Sequence, residues 1–231
     1  MPSGITCGIT MPNTPLPEWE KLLASAAHLQ KIVPETVMVG GTAAATFAHH
    51  RVSVDHDHTL VDLKARFDEV LATLESVAGW KTARVKRPVL ILGSLDGIET
   101  GIRQLIREEP LETEVLEIGG VALRVPTRAE MLRIKAVLIV KRNATRDYLD
   151  FVALSDLLGR ESTLSALESF DRLYPQAYGQ SARQQLQVQL ANPLPYDLDD
   201  TDLRQYKKLK PEYQDWLAVA EKCRAIANVL W

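Results

Sequence analysis

The chain has 231 residues with 27 basic and 30 acidic side chains, which gives a formal net charge of −3. This balance excludes a strongly basic nucleic-acid coat, and a hydrophobic content of 46% excludes a disordered chain. The first twenty residues lack the basic and apolar segments of a signal peptide, and no apolar run is long enough to cross a membrane. The only two cysteines, Cys7 and Cys223, fit a reducing compartment. We therefore predict a soluble, cytoplasmic protein without membrane contact.

The first 126 residues alternate between short apolar runs and amphipathic segments. A proline-rich, irregular lead-in is predicted for 1–17. The predicted helices of this part are 22–30, 42–50 and 62–79. The predicted strands are 36–41, 51–61, 83–95, 97–106, 111–118 and 121–126. The turn pairs Asp96-Gly97 and Gly119-Gly120 indicate two hairpins among these strands.

The remaining residues have a helical pattern almost to the end of the chain. Thr127 and Glu130 have the spacing of a capping box, which predicts a helix over 128–140. Thr145 is a candidate cap of the next helix, and Gly159 is its candidate end. We predict an α+β protein with a mixed sheet, divided into a lead-in and helix (1–29), an α/β core (30–126) and a helical C-terminal region (127–231).

A strand that ends in Gly40-Gly41 and passes directly into a helix is suited to phosphate binding. Glycines have no Cβ, so phosphate oxygens can approach the backbone N–H groups, and a helix N-terminus favours negative charge. The Thr42 hydroxyl could donate to the same phosphates. The alternative interpretation is a tight strand-to-helix turn that binds nothing.

Asp55 and Asp57 follow in the next predicted strand. Residues two apart on a strand point to the same face, so the two carboxylates would project together. Such a pair can bind Mg²⁺, which prefers oxygen ligands and phosphate partners. Two such ions, about 3.5–4 Å apart, would hold the attacking and leaving oxygens of an in-line displacement.

This ordered combination resembles the nucleotidyltransferase superfamily of DNA polymerase β, whose signature is a glycine pair followed by Asp-x-Asp. Within that superfamily the chain is most similar to the AbiEii/AbiGii toxin-like nucleotidyltransferases, which share a downstream stretch similar to RIKAVLIVKRNATRDYLDFVAL at 133–154. The resemblance covers 36–156. It implies a nucleotidyltransferase fold with helices after the sheet.

The resemblance also implies a role for each motif residue. Gly40, Gly41 and Thr42 would bind the nucleotide phosphates, and Asp55 and Asp57 would be the metal ligands. The downstream residues assigned to triphosphate binding or catalysis are Lys135, Arg142, Arg146, Asp147 and Asp150. The local charge agrees, because the segment 131–146 contains five basic residues and no acids. These five are Arg133, Lys135, Lys141, Arg142 and Arg146.

The implied function is a metal-dependent nucleotidyltransferase that transfers NMP from an NTP to an acceptor. Mg²⁺ or Mn²⁺ would be the cofactor, and Asp147 or a third carboxylate would be the general base. The acceptor would be an RNA, such as a tRNA, or a protein. The resemblance further implies a toxin of a toxin–antitoxin or phage-defence system, with a cognate antitoxin as partner.

The third carboxylate of the superfamily, which a neighbouring strand supplies, has two acidic candidates in this sequence. Asp96 also fits a hairpin turn, and Glu114 also fits a solvent-facing strand position. On the strand 97–106, Gln104 takes the position where an acid is expected. Without this acid, metal binding would be weaker and activity could be lost.

Several of these residues also have purely structural interpretations. His56 and His58 lie on the opposite strand face, where we expect them to pack in the core rather than assist a metal. Asp147 and Asp150 could stabilise a helix start and pair with Arg146. A structural role is also the favoured interpretation for two further groups of residues. These are the polar helix end His49-His50-Arg51 and the aromatic residues Tyr206, Tyr213 and Trp216 in a basic tail segment, which could otherwise bind single-stranded RNA.

Two other functions remain open at the level of sequence. The first is a catalytically degenerate module of the same fold that binds nucleotides or partners without reaction. The second is a transition-metal hydrolase that uses His49, His50, His56, Asp57 and His58. Alternation along a strand argues against the hydrolase, because His56 and His58 point away from Asp57.

Overall fold

The computed structural model describes residues 17–230, so the lead-in, Cys7 and Trp231 lie outside the described residues. The strands are β1 (Val37–Val39), β2 (His56–Leu60), β3 (Trp80–Lys86), β4 (Leu90–Leu95), β5 (Ile98–Gln104), β6 (Thr113–Ile118) and β7 (Val121–Pro126). The helices are α1 (Pro17–Ile32), α2 (Gly40–Ala48), α3 (Leu63–Glu75), α4 (Arg128–Arg142), α5 (Thr145–Leu158), α6 (Arg160–Glu168), α7 (Phe170–Leu173), α8 (Ala182–Ala191) and α9 (Trp216–Ala227). Three short 3₁₀ segments lie at Ala177–Gly179, Leu203–Gln205 and Pro211–Tyr213.

The main sheet has five strands in the order β1-β2-β5-β4-β3. It is mixed, because β2 and β5 run parallel and the other neighbours run antiparallel. β6 and β7 form a separate two-stranded sheet. The predicted α+β class and mixed sheet are confirmed, and so are the hairpin turns at Asp96-Gly97 and Gly119-Gly120, where all four residues have positive φ.

Two apolar cores hold these elements together. One core lies between α1, α3 and one face of the main sheet, and it includes Leu29, Leu63 and Ile102. The larger core joins α2 to α4, α5 and the C-terminal helices. The opposite face of β2 and β5 therefore stays free to line a cavity.

Two of the predicted strands are wrong in extent. The predicted strand 51–61 forms a strand only from His56, because 51–55 is a loop whose Val52 N–H donates to the Lys207 carbonyl. β1 has three residues before α2 begins, so 51–55 has no strand beside it on that side. The predicted strand 83–95 is the end of β3 and the whole of β4, which are separated by a turn at Pro88.

The predicted helices all form, but their details differ: α1 is Pro17–Ile32 instead of 22–30, and α2 is Gly40–Ala48 instead of 42–50. The helix predicted to end at Gly79 ends at Glu75. The capping box is half formed: Thr127 Oγ1 accepts the Glu130 N–H at 3.2 Å, but the Glu130 carboxylate binds arginines instead of returning to Thr127. Thr145 is the first residue of α5 rather than its cap, and its hydroxyl donates to an aspartate of the C-terminal segment at 2.7 Å.

Over the part of the chain described by the structure, no helix has the length and apolar character needed to cross a membrane.

Candidate active site

A cavity of about 660 Å³ opens where β2, the start of α2, α4 and the C-terminal segment meet. Seven of the ten predicted site residues line it, namely Gly40, Gly41, Asp55, Asp57, Lys135, Arg142 and Arg146. The other three, Thr42, Asp147 and Asp150, are buried behind its wall. The fold thus brings the two halves of the predicted site, about eighty to ninety residues apart in the chain, to one place.

The glycine pair forms the first turn of α2, directly beside the carboxylates. Gly40 has a φ of 79°, and a Cβ placed there would stand 3.2 Å from Asp57 Oδ2. Both its backbone conformation and its closeness to Asp57 therefore favour glycine. Because the first N–H groups of a helix have no partner within the helix, this turn presents hydrogen-bond donors to an anion in the cavity.

Asp55 precedes β2 in a loop that its own neighbours hold in place. Ser53 Oγ donates to Asp55 Oδ1 at 2.8 Å, and the Thr42 hydroxyl donates to the Asp55 carbonyl oxygen. Thr42 therefore fixes the loop that carries Asp55, and its hydroxyl does not face the cavity. Asp55 and Asp57 are each partly exposed and open to the same space.

Asp150 lies at the centre of a buried ionic network. Its carboxylate accepts from Arg51 Nε at 2.8 Å, pairs with Lys135 Nζ at 2.8 Å and contacts His50 Nε2 at 2.7 Å. Burial by itself disfavours the carboxylate, but Arg51 and Lys135 outweigh it and hold the pKa of Asp150 well below its usual range. Asp150 is thus a buried anion that positions Arg51 and Lys135 at the cavity wall and holds His50 behind it.

Asp147 has the same character one turn earlier on α5. Arg142 Nη2 donates to its Oδ1 at 2.7 Å, and Lys135 Nζ lies 3.7 Å from the same oxygen. The expected pairing with Arg146 does not form. Lys135 and Arg142, seven residues apart, share a helical face that lines the cavity.

His50 and Arg51 belong to the site, although the sequence pattern predicts only a polar helix end for them. Arg51 crosses the front of Gly41, where any Cβ would overlap its guanidinium, and then reaches Asp150. Gly41 is therefore needed for the passage of Arg51 as well as for access to the backbone. The available signal was the polar run directly after an alanine-rich helix, but its partner Asp150 lies about 100 residues away.

The basic side chains of α4 point in three different directions. Lys135 and Arg142 face the cavity. Arg133 turns away and pairs with Glu130 and Glu112, at 3.0 and 2.6 Å. Lys141 points into a neighbouring cleft. A helix of fifteen residues presents all sides, so a count of basic residues overstates the charge at the site.

The position expected for a third carboxylate is also corrected. Gln104 lies on the opposite face from Asp57, where its side chain binds the backbone around Val61 and Lys64. Arg103 takes the place on the cavity side, with its Nε 3.6 Å from Asp57 Oδ1. The other two candidates do not line the cavity: Asp96 sits in its hairpin turn and Glu114 on β6.

The expected core role of His56 and His58 is confirmed. Both are fully buried, and His56 Nδ1 lies 3.0 Å from His58 Nε2 and 2.9 Å from Thr100 Oγ1. Burial lowers the pKa of His56 to about 4 and lowers that of His58 well below its usual value. Because they point away from Asp57, they cannot join it around one metal ion, which removes the geometry of a histidine-based hydrolase.

The tail aromatics do not form one exposed stacking surface. Tyr213 is buried, and its hydroxyl contacts Asp156 at 2.9 Å. Trp216 packs edge-on to Tyr148. Tyr206 is the exception, because it lines the cavity beneath the Arg51 guanidinium.

The residues present suit one divalent cation. Asp55 and Asp57 offer carboxylate oxygens to the same cavity, beside a helix N-terminus that would hold the phosphates of a ligand. Mg²⁺ in nucleotide sites is commonly held by one or two carboxylates together with substrate phosphates. Between residues 17 and 230, no cluster of three or more His, Cys, Asp or Glu side chains is arranged to bind a metal.

Solved structures similar to this chain share its architecture. A candidate nucleotidyltransferase from H. pylori gives a TM-score of 0.53 at 16% identity and covers 92% of each chain. The enzyme ANT(2'')-Ia, solved in complex with adenylyl-2''-tobramycin, gives a TM-score of 0.50 at 14% identity and covers 66% of this chain and 97% of that one. The chain has a nucleotidyltransferase fold.

Sequence relatives give a different and narrower match. The heme uptake protein MmpL11 of Mycobacterium tuberculosis is 37% identical over 124 residues, and the mycolic acid-containing lipids exporter MmpL11 of Mycolicibacterium smegmatis is 34% identical over 125 residues. Each match covers 52% of this chain but only 12% and 13% of the relatives, so the chain spans about an eighth of their length. No protein-family model matches this nucleotidyltransferase-fold chain.

Proposed function

We propose that this chain is a metal-dependent nucleotidyltransferase that transfers NMP from an NTP to an acceptor. The observation that carries the proposal is that one cavity joins the Gly40-Gly41 helix start, the paired carboxylates Asp55 and Asp57, and the basic side chains of α4 and α5. The nucleotidyltransferase fold supports the same reaction class. Phosphoryl and nucleotidyl transfer require three components: hydrogen-bond donors that bind the phosphates, metal ligands and fixed cations.

The residues divide these tasks by position. The N–H groups of Gly40 and Gly41 would bind the triphosphate, with Arg142 and Arg146 neutralising its charge. Asp55 and Asp57 would hold Mg²⁺ or Mn²⁺, which when bound stabilises charge on the α-phosphate and the departing pyrophosphate. Lys135 is buried between two aspartates, so its ammonium would act as a fixed charge at the cavity floor.

We propose that Asp147 and Asp150 have roles other than the general base that the resemblance implies. Asp147 and Asp150 are fully buried and each binds basic partners. Neither carboxylate lines the cavity, and both oxygens of each one have a cationic partner. We therefore propose them as residues that position Lys135, Arg142 and Arg51, and we propose that solvent takes up the proton of the acceptor.

The biological proposal follows the resemblance to AbiEii-type toxins. The acceptor would be an RNA, such as a tRNA end, or a protein, and a cognate antitoxin would restrain the enzyme in the cytoplasm. Expression in a bacterium should then arrest growth only when Asp55 and Asp57 are intact. An equal arrest by the Asp55→Asn/Asp57→Asn variant would contradict a toxin role based on nucleotidyl transfer.

The chemistry is tested with purified protein, each labelled NTP, Mg²⁺ and total cellular RNA. We expect label to enter RNA or the protein itself, and the Asp55→Asn/Asp57→Asn variant to lose at least about 100-fold, the effect of removing a charge-stabilising group. The matched control is Asp199→Asn/Asp200→Asn, an exposed acidic pair outside the cavity. Equal transfer by the wild type and the cavity variant would refute the assignment.

One observation favours a second function, a nucleotide-binding module without transfer. Arg103, rather than an acid, stands beside Asp57. If the protein binds NTP with Mg²⁺ but releases no pyrophosphate with any acceptor, this second function is the correct one.

A further inference from the structure

On β5, which pairs with β2, three residues share the sheet face of Asp57, namely Glu99, Gly101 and Arg103. β2 and β5 are parallel, and their register pairs Asp57 with Gly101 and Thr59 with Arg103. Directly paired residues of neighbouring strands point to the same face of a sheet. A third carboxylate from β5 would therefore have to come from position 99, 101 or 103.

Position 101 cannot carry a carboxylate in this fold. A Cβ on Gly101 would overlap the Leu92 side chain and stand 2.9 Å from the Ile91 carbonyl oxygen. The preceding residue of β5 on this face, Glu99, is exposed and does not line the cavity. The crowding of β4 against β5 thus leaves position 103 as the one place on this strand for a further charged group at Asp57.

Position 103 carries the opposite charge. Arg103 Nε lies 3.6 Å from Asp57 Oδ1, and both side chains line the cavity. Arg142 lines the same cavity, where Asp147 is its ion-pair partner. A guanidinium is protonated at every physiological pH, so Asp57 has a permanent positive charge beside it.

We infer that this site takes a single divalent cation, and that the Arg103 guanidinium supplies the positive charge that a second cation would bring beside Asp57. The inference rests on the proposed function, because the ion binds together with an NTP. Asp55 and Asp57 provide enough carboxylate for one ion that completes its ligand set with phosphate oxygens. A second ion would lie a few ångströms from a fixed cation, without a third carboxylate to offset the repulsion.

Equilibrium dialysis counts the ions directly. The protein is dialysed against Mn²⁺ and a mixture of the four α,β-methylene NTP analogues, which cannot transfer their nucleotide. The excess of Mn²⁺ in the protein chamber gives the bound ions, and the excess of phosphorus gives the bound analogue. We expect one Mn²⁺ per bound analogue for the wild type. Arg103→Asp, which supplies the third carboxylate, should raise the ratio to two, and Arg84→Asp, the same charge change on the exposed β3 edge, should leave it at one.

Each outcome decides between the two proposals. A ratio of two in the wild type would overturn the single-ion inference and leave nucleotidyl transfer standing. A folded Arg103→Asp variant that stays at one, or an Arg84→Asp variant that rises to two, would also overturn it. Absence of any bound analogue in the wild type would instead refute the proposed function. If Arg103→Asp fails to fold by circular dichroism, the wild-type ratio alone decides.

Discussion

Two pairs of aspartates of this protein lie within one site, yet their surroundings differ in every respect. Asp55 and Asp57 are partly exposed and line the cavity, and Asp57 is loosely paired with Arg103 at 3.6 Å. Asp147 and Asp150 are fully buried and bind arginine and lysine at hydrogen-bond distance. The same type of side chain therefore serves two purposes, and its exposure to solvent decides which one.

The difference follows from the cost of burying charge. A buried carboxylate is stable only when cations and hydrogen bonds replace its water, so Asp147 and Asp150 have no capacity left for a ligand. An open carboxylate keeps water ligands that a metal ion can replace. The first pair is thus suited to bind a ligand and the second to hold the basic residues that would meet its phosphates.

The largest effect that tests this comparison is expected for Asp150→Asn. The substitution leaves Arg51 buried without its counter-ion and leaves Lys135 with Asp147 alone, at 3.7 Å, so we expect a loss of about 3–5 kcal/mol in the free energy of unfolding, measured with urea. The exposed control Asp199→Asn should change it by less than about 0.5 kcal/mol. A loss below 1 kcal/mol for Asp150→Asn would show that the network is not the buried charge cluster described above.

A second effect concerns the buried histidines on the other face of β2. The pKa of His56 is lowered to about 4 and that of His58 well below 6.5, so the unfolded chain binds more protons than the folded one below pH 6.5. Stability should therefore fall as the pH is lowered from 6.5 towards 4, by about 3 kcal/mol from His56 alone, with a further loss from His58. Urea unfolding across this range measures the slope.

The pH range in which stability is lost distinguishes the buried histidines from the carboxylates. The lowered pKa of Asp150 gives stability that is present above the unfolded value of 3.8 and is lost only as the pH falls below it. A His56→Gln/His58→Gln variant should flatten the slope between pH 6.5 and 4, whereas the partly exposed control His28→Gln should keep it. An unchanged slope in the double variant would contradict the assignment.

A smaller effect is expected for Gly41→Ala. The added methyl overlaps the Arg51 guanidinium and pushes it from Asp150, at a cost of about 1–2 kcal/mol by urea unfolding. In an Arg51→Ala background the same substitution should cost almost nothing, because the obstructing side chain is gone. Equal costs in both backgrounds would show that Gly41 is needed for another reason.

The smallest effect on stability is expected for Asp57→Asn. The substitution removes only a half-exposed ion pair with Arg103, so the free energy of unfolding should change by less than about 1 kcal/mol. The rise in melting temperature produced by Mg²⁺ with NTP should, however, disappear. A large loss of stability without ligand would mean that Asp57, like Asp147 and Asp150, holds the fold together instead of staying open to a ligand.

Most elements and the cavity-lining part of the site were predictable because their signals are local. The glycine pair before an alanine-rich run predicted the strand-to-helix turn. Asp55 and Asp57 do line one cavity, but Asp55 lies in the loop before β2 and not in the strand from which a shared face was predicted. The hairpin turns had equally local signals. The strand predicted over 51–61 failed because hydrophobic alternation does not reveal whether a partner strand is present, and beside Val52 the partner is a C-terminal loop.

The sequence by itself determined the order of motifs, the helical or extended character of most segments, and the set of charged residues available to the site. Tertiary structure alone decided which of those charges stay open to solvent. His50 and Arg51 meet Asp150 across about 100 residues, and the register of β2 with β5 turns Arg103, not Gln104, towards Asp57. Periodicity reports the face of one element, whereas burial and ion pairing depend on which elements pack together.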